Sequence, residues 1–423
     1  MEPRHTTVEL TAAAVRDGVL RTGAWWTSDG EHAVELEVIG GGGMRRVSAV
    51  PRDGLFRGRP LATAYAAAGL AAEDRLLVRR TGKRSVRVSP LGPPFRFIDL
   101  FAGIGGFRLG FEAAGGTCVF SSEIDERACD SYEAHFGDRP HGDITKIDAA
   151  EVPAHDMLLA GFPCQPFSII GRRRGFEDTR GTLFFDVARL VAHHRPAAVV
   201  LENVKQFRTH DGGRTCATVV RTLRDLGYAV DVAVLNALDY GVAQTRQRTF
   251  VVAVRDELPG AFSWPRPYPE RANLADVLED DAAVPEKLWA SDYIQNKRRA
   301  RLAAQGRTPE SPSVWHENKG GHVGAHPYSC ALRANASHSY LLVDGRRRPT
   351  GRELLRLQGF PDDFEIAVPH RALRKQCGNA VCAAVSLEVA ANLVPVFERG
   401  FDERPVDGVV QPFLPLRGVG AAP

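Results

Sequence analysis

The chain has 423 residues and a formal net charge of only +3 at pH 7, so it is long enough for several domains with a large core. Because overall charge is nearly balanced, affinity for a polyanion would have to come from local basic runs, at 172–174, 297–301 and 346–348. Its seven cysteines form no Cys-x-x-Cys pair, and no apolar run approaches the length of a membrane span. The N-terminus lacks the apolar core of a signal peptide. These features predict a soluble protein of a reducing compartment, the cytoplasm.

Residues 1–94 are predicted to form an accessory β-rich domain. The predicted elements are strands at 34–39, 75–80 and 85–88 and a helix at 62–68. The proline-rich stretch 90–94 has the composition of a stiff linker. Basic residues in this region allow a DNA-binding role, and a partner-docking role remains equally open.

Residues 95–261 alternate short β-branched runs with helical patterns. The predicted strands are 97–101, 119–123, 157–160, 198–202 and 249–254. This rhythm predicts an α/β fold with a doubly wound, mostly parallel sheet. Residues 262–345 lose the periodicity and predict a small loop-rich domain, whereas 346–423 return to the α/β domain of 95–261 with a last helix at 380–393.

The first strand of this sheet runs into a glycine-rich turn, Gly103-Ile-Gly-Gly106, that lacks the third glycine of a dinucleotide-binding fingerprint. About 20 residues further on, the next strand ends at Glu123, where an acid suits the hydroxyls of a ribose. Asp143 is predicted to be a further acid at the end of a strand. Strand-end acids beside a glycine turn without Lys or Arg suit an adenosine ligand that carries no phosphate, and S-adenosylmethionine is the candidate. An αβ unit with tight turns and no cofactor is the alternative.

The run 160–168 places Cys164 on a stiff turn between Pro163 and Pro166, directly after a predicted strand. A nucleophile belongs in such a place, although a lone cysteine is more often a small buried hydrophobe. Glu202 also ends a strand, and its carboxyl could donate a proton if burial raises its pKa. Arg246 and Arg248 alternate, so on an extended segment both would point to one face and could hold an anion or a carbonyl oxygen. A helix-capping role for the acid and surface positions for the arginines remain open.

Taken together, these segments resemble the ordered motif set of the DNA (cytosine-5) methyltransferases, most closely the single-chain enzymes of bacterial restriction–modification systems. The matching segments are 97–106, 161–165, 202–204, 244–248, 352–361 and 376–379. The resemblance covers roughly 95–395 with order and gaps preserved, and leaves out 1–94. A mild departure is Ala380, where serine often follows the asparagine in this family.

The resemblance implies methyl transfer from S-adenosylmethionine to carbon 5 of a cytosine that is flipped out of a specific duplex DNA sequence. Cys164 would add to carbon 6 of the ring as a thiolate, and Glu202 would protonate or hydrogen-bond N3 and the exocyclic amine. Arg248, and by its motif position Arg246, would hold the base oxygen and support the cysteine side.

The same resemblance assigns the other site residues. Those expected to bind the cofactor are Phe101, Gly103, Gly105, Glu123, Ile124, Asp143, Ile144, Pro163, Leu183 and Asn379. Those expected to contact DNA, on a loop that closes over it, are Gln165, Ser168, Arg172 and Arg173. Residues 262–345 would recognise the DNA sequence. No metal is expected, because glycines and Pro327 interrupt the metal-like spacing of His316, His322, His326 and Cys330, and DNA-contacting loops explain these residues better.

The partners that the resemblance implies are duplex DNA and a cognate restriction endonuclease or defence-system proteins, with no membrane and a monomeric enzyme. Other function classes remain open: a tRNA cytosine-5 methyltransferase of the same fold, and a catalytically silent DNA-binding regulator. The long interval 262–345 favours duplex DNA over tRNA. The retention of Cys164, Glu202 and both arginines disfavours the silent regulator.

Overall fold

The structure is a computed structural model of the chain. It describes residues 5–22, 32–40, 43–51, 55–92, 94–163, 183–258, 262–318 and 320–397.

A five-stranded sheet dominates the N-terminal part. The strands of this part are β1 (His5–Glu9), β2 (Val19–Arg21), β3 (Val34–Gly40), β4 (Gly43–Ala49), β5 (Leu55–Arg57), β6 (Arg75–Gly82) and β7 (Ser85–Pro90), and its helices are α1 (Ala12–Asp17) and α2 (Arg59–Ala68). The sheet has the order β1-β6-β7-β3-β4, and β2 pairs separately with β5. Helix α2 covers one face by burying Leu61 and Tyr65 against Leu36 and Val78. The predicted strands at 34–39, 75–80 and 85–88 coincide with β3, β6 and β7.

The stretch that was expected to be a linker is packed against the rest of the chain. Pro90 is the last residue of β7, and Leu91 is buried in a small apolar cluster with Leu77 and Ala391. A Cβ atom at Gly92 would lie 2.6 Å from the side chain of Val394. Residues 90–92 therefore join the N-terminal sheet to the C-terminal end of the described chain.

A six-stranded sheet forms the centre of the next part. Its elements, in chain order with the short strand β13 that lies outside the sheet, are β8 (Phe95–Leu100), α3 (Gly106–Ala113), β9 (Gly116–Ser122), α4 (Glu126–Phe136), β10 (Met157–Ala160), α5 (Leu183–His194), β11 (Ala198–Val204), α6 (Arg214–Asp225), β12 (Tyr228–Asn236), β13 (Gln244–Thr245) and β14 (Gln247–Arg255). The order is β12-β14-β11-β10-β8-β9. Strands β8 to β11 are parallel, whereas β14 runs antiparallel to both of its neighbours, β11 and β12. The mostly parallel sheet is confirmed, and β12 is a strand that the sequence did not predict.

Up to residue 350 the remaining elements of the described chain are one α-helix of 13 residues and four short strands, and beyond it they are helical. They are α7 (Asp292–Ala304), β15 (Val314–Glu317), β16 (Val323–His326), β17 (Ser329–Cys330), β18 (Leu341–Val343), α8 (Gly351–Arg356), α9 (His370–Asn379) and α10 (Ala383–Leu393). Strands β16, β15 and β18 form a small sheet, and β17 pairs with β13. The helix predicted at 380–393 begins only at Ala383, because Ala380 and Cys382 have extended backbone angles.

The central sheet is covered on both faces. On one face, Phe107 and Phe111 of α3 and Val385 and Val389 of α10 pack on the sheet, and the other face is covered by α5 and α6. Burial on both faces explains why β10 is apolar throughout, with every residue buried. Among the residues that the structure describes, no helix combines the length and apolar character needed to cross a bilayer.

Candidate active site

The carboxyl ends of three parallel strands meet at one edge of the central sheet. Leu100 of β8, Ala160 of β10 and Leu201 of β11 are in register, so the residues that follow them lie side by side. The chain places β9 on one side of β8 and β10 on the other, which makes this edge the point where the strand order reverses. Open α/β sheets bind their ligands at such a point.

The turn after β8, residues 101–106, is named here the glycine turn. Phe101, Gly103 and Gly105 all have positive φ angles, of 55°, 58° and 82°. A positive φ is unusual for phenylalanine and costs of the order of 1–3 kcal/mol, which the surrounding packing must offset. A Cβ atom at Gly106 would collide with the carbonyl of Val381, so the turn is pressed against the segment before α10.

Glu123 fixes the glycine turn from the next strand. Its Oε2 accepts a hydrogen bond of 2.8 Å from the N–H of Gly103, while Oε1 accepts from the N–H groups of Ile124 and Asp125 at 2.9 and 2.8 Å. Ile124 beside it is 71% exposed, a large apolar side chain left uncovered at the sheet edge. A half-buried carboxylate and an exposed apolar surface therefore lie next to the glycine turn.

The other expected cofactor residues are placed in different environments. Asp143 is half-buried, and hydrogen bonds from the side chain and backbone of Thr145 hold the pKa of its carboxyl below the usual range, with Lys146 contributing. The side chain of Ile144 is buried in the hydrophobic core, so it does not form the exposed apolar surface that Ile124 offers. Of the other residues expected to bind the cofactor, Pro163 and Asn379 are exposed and Leu183 is half-buried.

Glu202 is the central titratable group of this edge. It is 7% exposed, and its Oε1 lies 3.0 Å from Nε of Arg248. This contact is an ion pair, and Oε1 accepts no hydrogen bond of regular geometry from the residues that the structure describes. Burial raises the pKa of Glu202, and the positive charges of Arg248 and Arg246 only partly oppose this rise. The carboxyl is therefore prepared to hold a proton and to offer it to a ligand.

Both arginines act electrostatically on Glu202, but the groups that they contact differ. Arg248 lies on β14 opposite Val204 and reaches Glu202 diagonally across the strand pair. Arg246 precedes β14, is 1% exposed, and donates to the carbonyl oxygens of Leu332, Gly378 and Ala380. Burial, together with the charge of Arg248, lowers the pKa of Arg246 to about 10. Arg248 faces the carboxyl, whereas Arg246 ties the edge of the sheet to the turn after α9.

Two amide side chains support the site in ways that sequence reasoning missed. Asn203, in the middle of the Glu-Asn-Val motif, donates a buried hydrogen bond of 2.9 Å to the carbonyl of Phe162. Gln244 binds two backbone groups at once, because it donates to the carbonyl of Leu357 and accepts from the N–H of Leu332. The motif spacing indicated Asn203 and Gln244 as part of the site. It did not indicate which backbone groups would lie beside these side chains in the fold.

The expected nucleophile and the expected DNA-contacting residues lie outside the described residues. These are Cys164, Gln165, Ser168, Arg172 and Arg173. The described chain reaches Pro163, which follows β10 at the same edge as Glu202. Within the described ranges, no three His, Cys, Asp or Glu side chains come together as a metal-binding group. His316 and His326 instead stack on neighbouring strands, with ring centres 5.8 Å apart.

Comparisons with known proteins agree with this arrangement. A family model described as C-5 cytosine-specific DNA methylase matches residues 95–394. The chain is 54% identical over 291 residues to the Type II methyltransferase M.NgoBI of Neisseria gonorrhoeae, covering 69% of this chain and 90% of that protein. It is 48% identical over 300 residues to the Type II methyltransferase M.HaeII of Haemophilus aegyptius, covering 71% and 93%.

Among solved structures, the S. pombe Dnmt2 methyltransferase matches with a TM-score of 0.54 at 20% identity, covering 72% of this chain and 99% of that one. At this identity the likeness concerns the fold, which is that of the S-adenosylmethionine-dependent methyltransferases. The family model covers the glycine turn, Glu202 and Arg248 alike, and the similar Type II enzymes are matched over nearly their whole length. The chain belongs to the C-5 cytosine-specific DNA methylase family and is a DNA cytosine-5 methyltransferase of the bacterial restriction–modification type.

Proposed function

We propose that this chain methylates carbon 5 of a flipped-out cytosine in a specific duplex DNA sequence, at the sheet edge that carries Glu202. The observation that carries the proposal is the state of this carboxyl. It is buried, its pKa is raised, and one of its oxygens receives no hydrogen bond from the described residues. Apart from the Arg248 ion pair, the hydrogen-bonding capacity of this buried carboxyl is unused by the described residues, and a pyrimidine ring nitrogen with an adjacent amine would use it.

In this proposal Glu202 acts on the base as an acid. The protonated carboxyl donates to N3 of cytosine and withdraws electrons from the ring, which makes carbon 6 open to attack. Arg248, in contact with the same carboxyl, supplies positive charge beside the base oxygen. Arg246 is proposed as a positioning residue, since its Nη donors are engaged by backbone carbonyls.

Cys164 is proposed as the nucleophile by its place in the Pro-Cys motif that follows β10. Its thiolate would add to carbon 6, which makes carbon 5 nucleophilic. After methylation, loss of the carbon-5 proton and elimination of the thiolate would restore the aromatic ring. Asn203 supports this segment, because its hydrogen bond to the Phe162 carbonyl holds the chain just before Pro163.

The residues around the glycine turn fit an adenosine ligand. Glu123 and the exposed Ile124 offer a carboxylate for hydroxyl groups and an apolar surface for a ring, and Asp143 offers an acceptor nearby. We assign S-adenosylmethionine to this place, where its sulfonium supplies an electrophilic methyl group. Phe101, Gly103, Gly105, Ile144, Pro163, Leu183 and Asn379 are proposed to complete the pocket, Ile144 through its backbone.

The proposal assigns a different function to each region of the chain. Residues 95–261 together with 346–423 form the catalytic part, and 262–345 read the DNA sequence through loops around β15 and β16. Gln165, Ser168, Arg172 and Arg173 contact DNA beside the flipped base. The enzyme acts as a monomer, and a cognate endonuclease is the partner protein that a restriction–modification context provides.

The experiment that tests the function combines transfer of labelled methyl groups with a choice of substrates. Purified chain is incubated with S-adenosylmethionine and either duplex plasmid DNA or tRNA, and the modified nucleoside is identified by mass spectrometry. We expect 5-methyldeoxycytidine in the duplex, at one sequence context. Methylation of tRNA alone would contradict the proposal, as would a methyl group at any other atom of the DNA.

A further inference from the structure

A buried ionic cluster joins the N-terminal sheet to the catalytic part of the chain. The cluster consists of Glu37, Arg79, Arg87, Tyr268 and Glu388 and is named here the Glu388 junction. Arg79 and Arg87 approach different oxygens of Glu388 at 2.8 and 3.3 Å, and Arg87 also lies 3.0 Å from Glu37. The hydroxyl of Tyr268 donates to Glu388 at 2.9 Å. Glu388 is 0% exposed, so these partners must offset the cost of burying its carboxylate.

The arginines that contact Glu388 come from a different part of the chain than Glu388 itself. Glu388 lies on α10, inside the region that matches the family model, whereas Arg79 and Arg87 lie on β6 and β7, outside it. In the described chain, both arginines in ion-pair contact with this carboxylate therefore come from the N-terminal sheet. Removing that sheet would take both counter-ions away from a helix of the catalytic part.

The junction also reaches the segment that leads into residues 262–345. Arg87 donates to the carbonyl of Arg266 at 3.1 Å, and the backbone N–H of Lys83 donates to Glu270 at 2.9 Å. An apolar contact of Leu77, Leu91 and Ala391 lies beside the ionic cluster. The N-terminal sheet is thus bound to the rest of the chain by directed polar contacts and by a buried apolar contact.

Helix α10 links the junction to the glycine turn. A Cβ atom at Gly106 would collide with the Val381 carbonyl, and one at Gly110 would collide with the hydroxyl of Ser386. That hydroxyl donates to the carbonyl of Phe107 at 3.2 Å, only two positions along α10 from Glu388. A shift of α10 would therefore displace α3 and the turn from which α3 begins.

We propose that Arg79 and Arg87 are positioning residues for the bound methyl donor. By neutralising Glu388 they fix α10 against α3, and through α3 they hold the glycine turn in its ligand-binding form. The N-terminal sheet is then an integral support of the catalytic part, in place of the accessory domain on a stiff linker that the sequence predicted. This inference rests on the proposed function, which places S-adenosylmethionine at the glycine turn.

The test measures ligand affinity directly, in the full-length chain. Arg79→Met and Arg87→Met remove the charge and keep a similar apolar stem, and isothermal titration with S-adenosylhomocysteine gives the dissociation constant and the binding-competent fraction. We expect binding about 3- to 30-fold weaker, the range of coupling through packed elements. The KM for S-adenosylmethionine should rise in parallel, while kcat and the KM for DNA stay within about twofold, since β6 and β7 do not touch the reacting groups.

Two further variants keep the test decisive. Arg46→Met breaks an exposed ion pair with the same Glu37, because Arg46 lies 3.2 Å from that carboxylate with 65% of its side chain exposed, and it should leave affinity unchanged. Arg87→Lys keeps the positive charge, so its affinity should be closer to wild type than that of Arg87→Met. This variant tests the role of the charge even if Arg87→Met folds poorly. Wild-type affinity in the folded fraction of both methionine variants would overturn the positioning role, even if their melting temperatures fall. Failure of the wild-type chain itself to bind S-adenosylhomocysteine would instead overturn the proposed function.

Discussion

Replacing Glu202 with glutamine should change activity and stability in opposite directions. Glu202→Gln keeps the size of the side chain but removes the transferable proton. Loss of a general acid costs about 10²–10⁴-fold in rate, and the low end applies because an amide can still hydrogen-bond the ring and Arg248 remains. We expect single-turnover methyl transfer to plasmid DNA to fall about 100-fold, equivalent to about 2.7 kcal/mol in the barrier. The affinity for S-adenosylhomocysteine should change little.

The stability effect follows from the raised pKa of the buried carboxyl. Because Glu202 holds its proton more tightly in the folded chain than in the unfolded chain, it destabilises the wild type progressively as the pH rises through its folded pKa. The variant cannot ionise, so its free energy of unfolding relative to wild type should increase between acidic and neutral pH. Denaturant unfolding at several pH values measures this difference.

A matched control for Glu202→Gln lies beyond the opposite end of the β11–β14 strand pair. Glu257 is a carboxylate in ion-pair contact with Arg195 at 3.1 Å, but 63% of its side chain is exposed. Glu257→Gln should leave both the rate and the pH dependence of stability unchanged. A Glu202→Gln enzyme with a rate within a few-fold of wild type would refute the proton-donor role, and a stability difference that shrinks towards neutral pH would refute the assigned direction of the pKa.

Further predictions concern the nucleophile, its support and the recognition region. Cys164→Ser should abolish methyl transfer while DNA binding in a gel-shift assay is retained, because a hydroxyl is far less acidic than a thiol; wild-type methylation would exclude the cysteine mechanism. Asn203→Ala leaves the buried Phe162 carbonyl without its donor, so the free energy of unfolding should fall by about 1–3 kcal/mol, with kcat reduced more than the KM for DNA. Exchanging 262–345 for the corresponding segment of another Type II methyltransferase should change the sequence context found by bisulfite sequencing, and an unchanged context would place recognition elsewhere.

Local pattern was enough to predict the framework of the site. The apolar run 157–160 is a strand with the predicted bounds, and Glu202 lies within β11 at the edge where the parallel strands end, as its place after an apolar run indicated. Parallel strands bring their carboxyl ends together, so short-range pattern and one topological rule locate Glu202 at the same sheet edge as the glycine turn. The strand β12, Tyr228–Asn236, was missed although its valines alternate with Ala and Asp, the pattern of a half-buried strand at a sheet edge, so this miss was not imposed by the sequence.

Long-range contacts could not be predicted in the same way. The alternation of Arg246 and Arg248 predicted that both could hold an anion or a carbonyl oxygen, but it did not indicate that the guanidinium of Arg246 donates to backbone carbonyls more than 80 residues away in the sequence. The proline-rich composition of 90–94 predicted a linker, whereas Leu91 is buried against Ala391 near the end of the described chain. Spacing along the chain does not report which distant backbone groups or charges will be adjacent in the fold.

Trapping of the covalent adduct tests the central claim most directly. The full-length chain is incubated with S-adenosylmethionine and duplex DNA in which 5-fluorocytosine replaces cytosine, because the fluorine cannot leave as a proton would and the thiolate then cannot be eliminated. The account predicts a complex that survives denaturation, with the nucleotide attached to the peptide that contains Cys164, and no such complex for Cys164→Ser. Methylation of ordinary duplex DNA without any trapped adduct, or an adduct at a different residue, would contradict it.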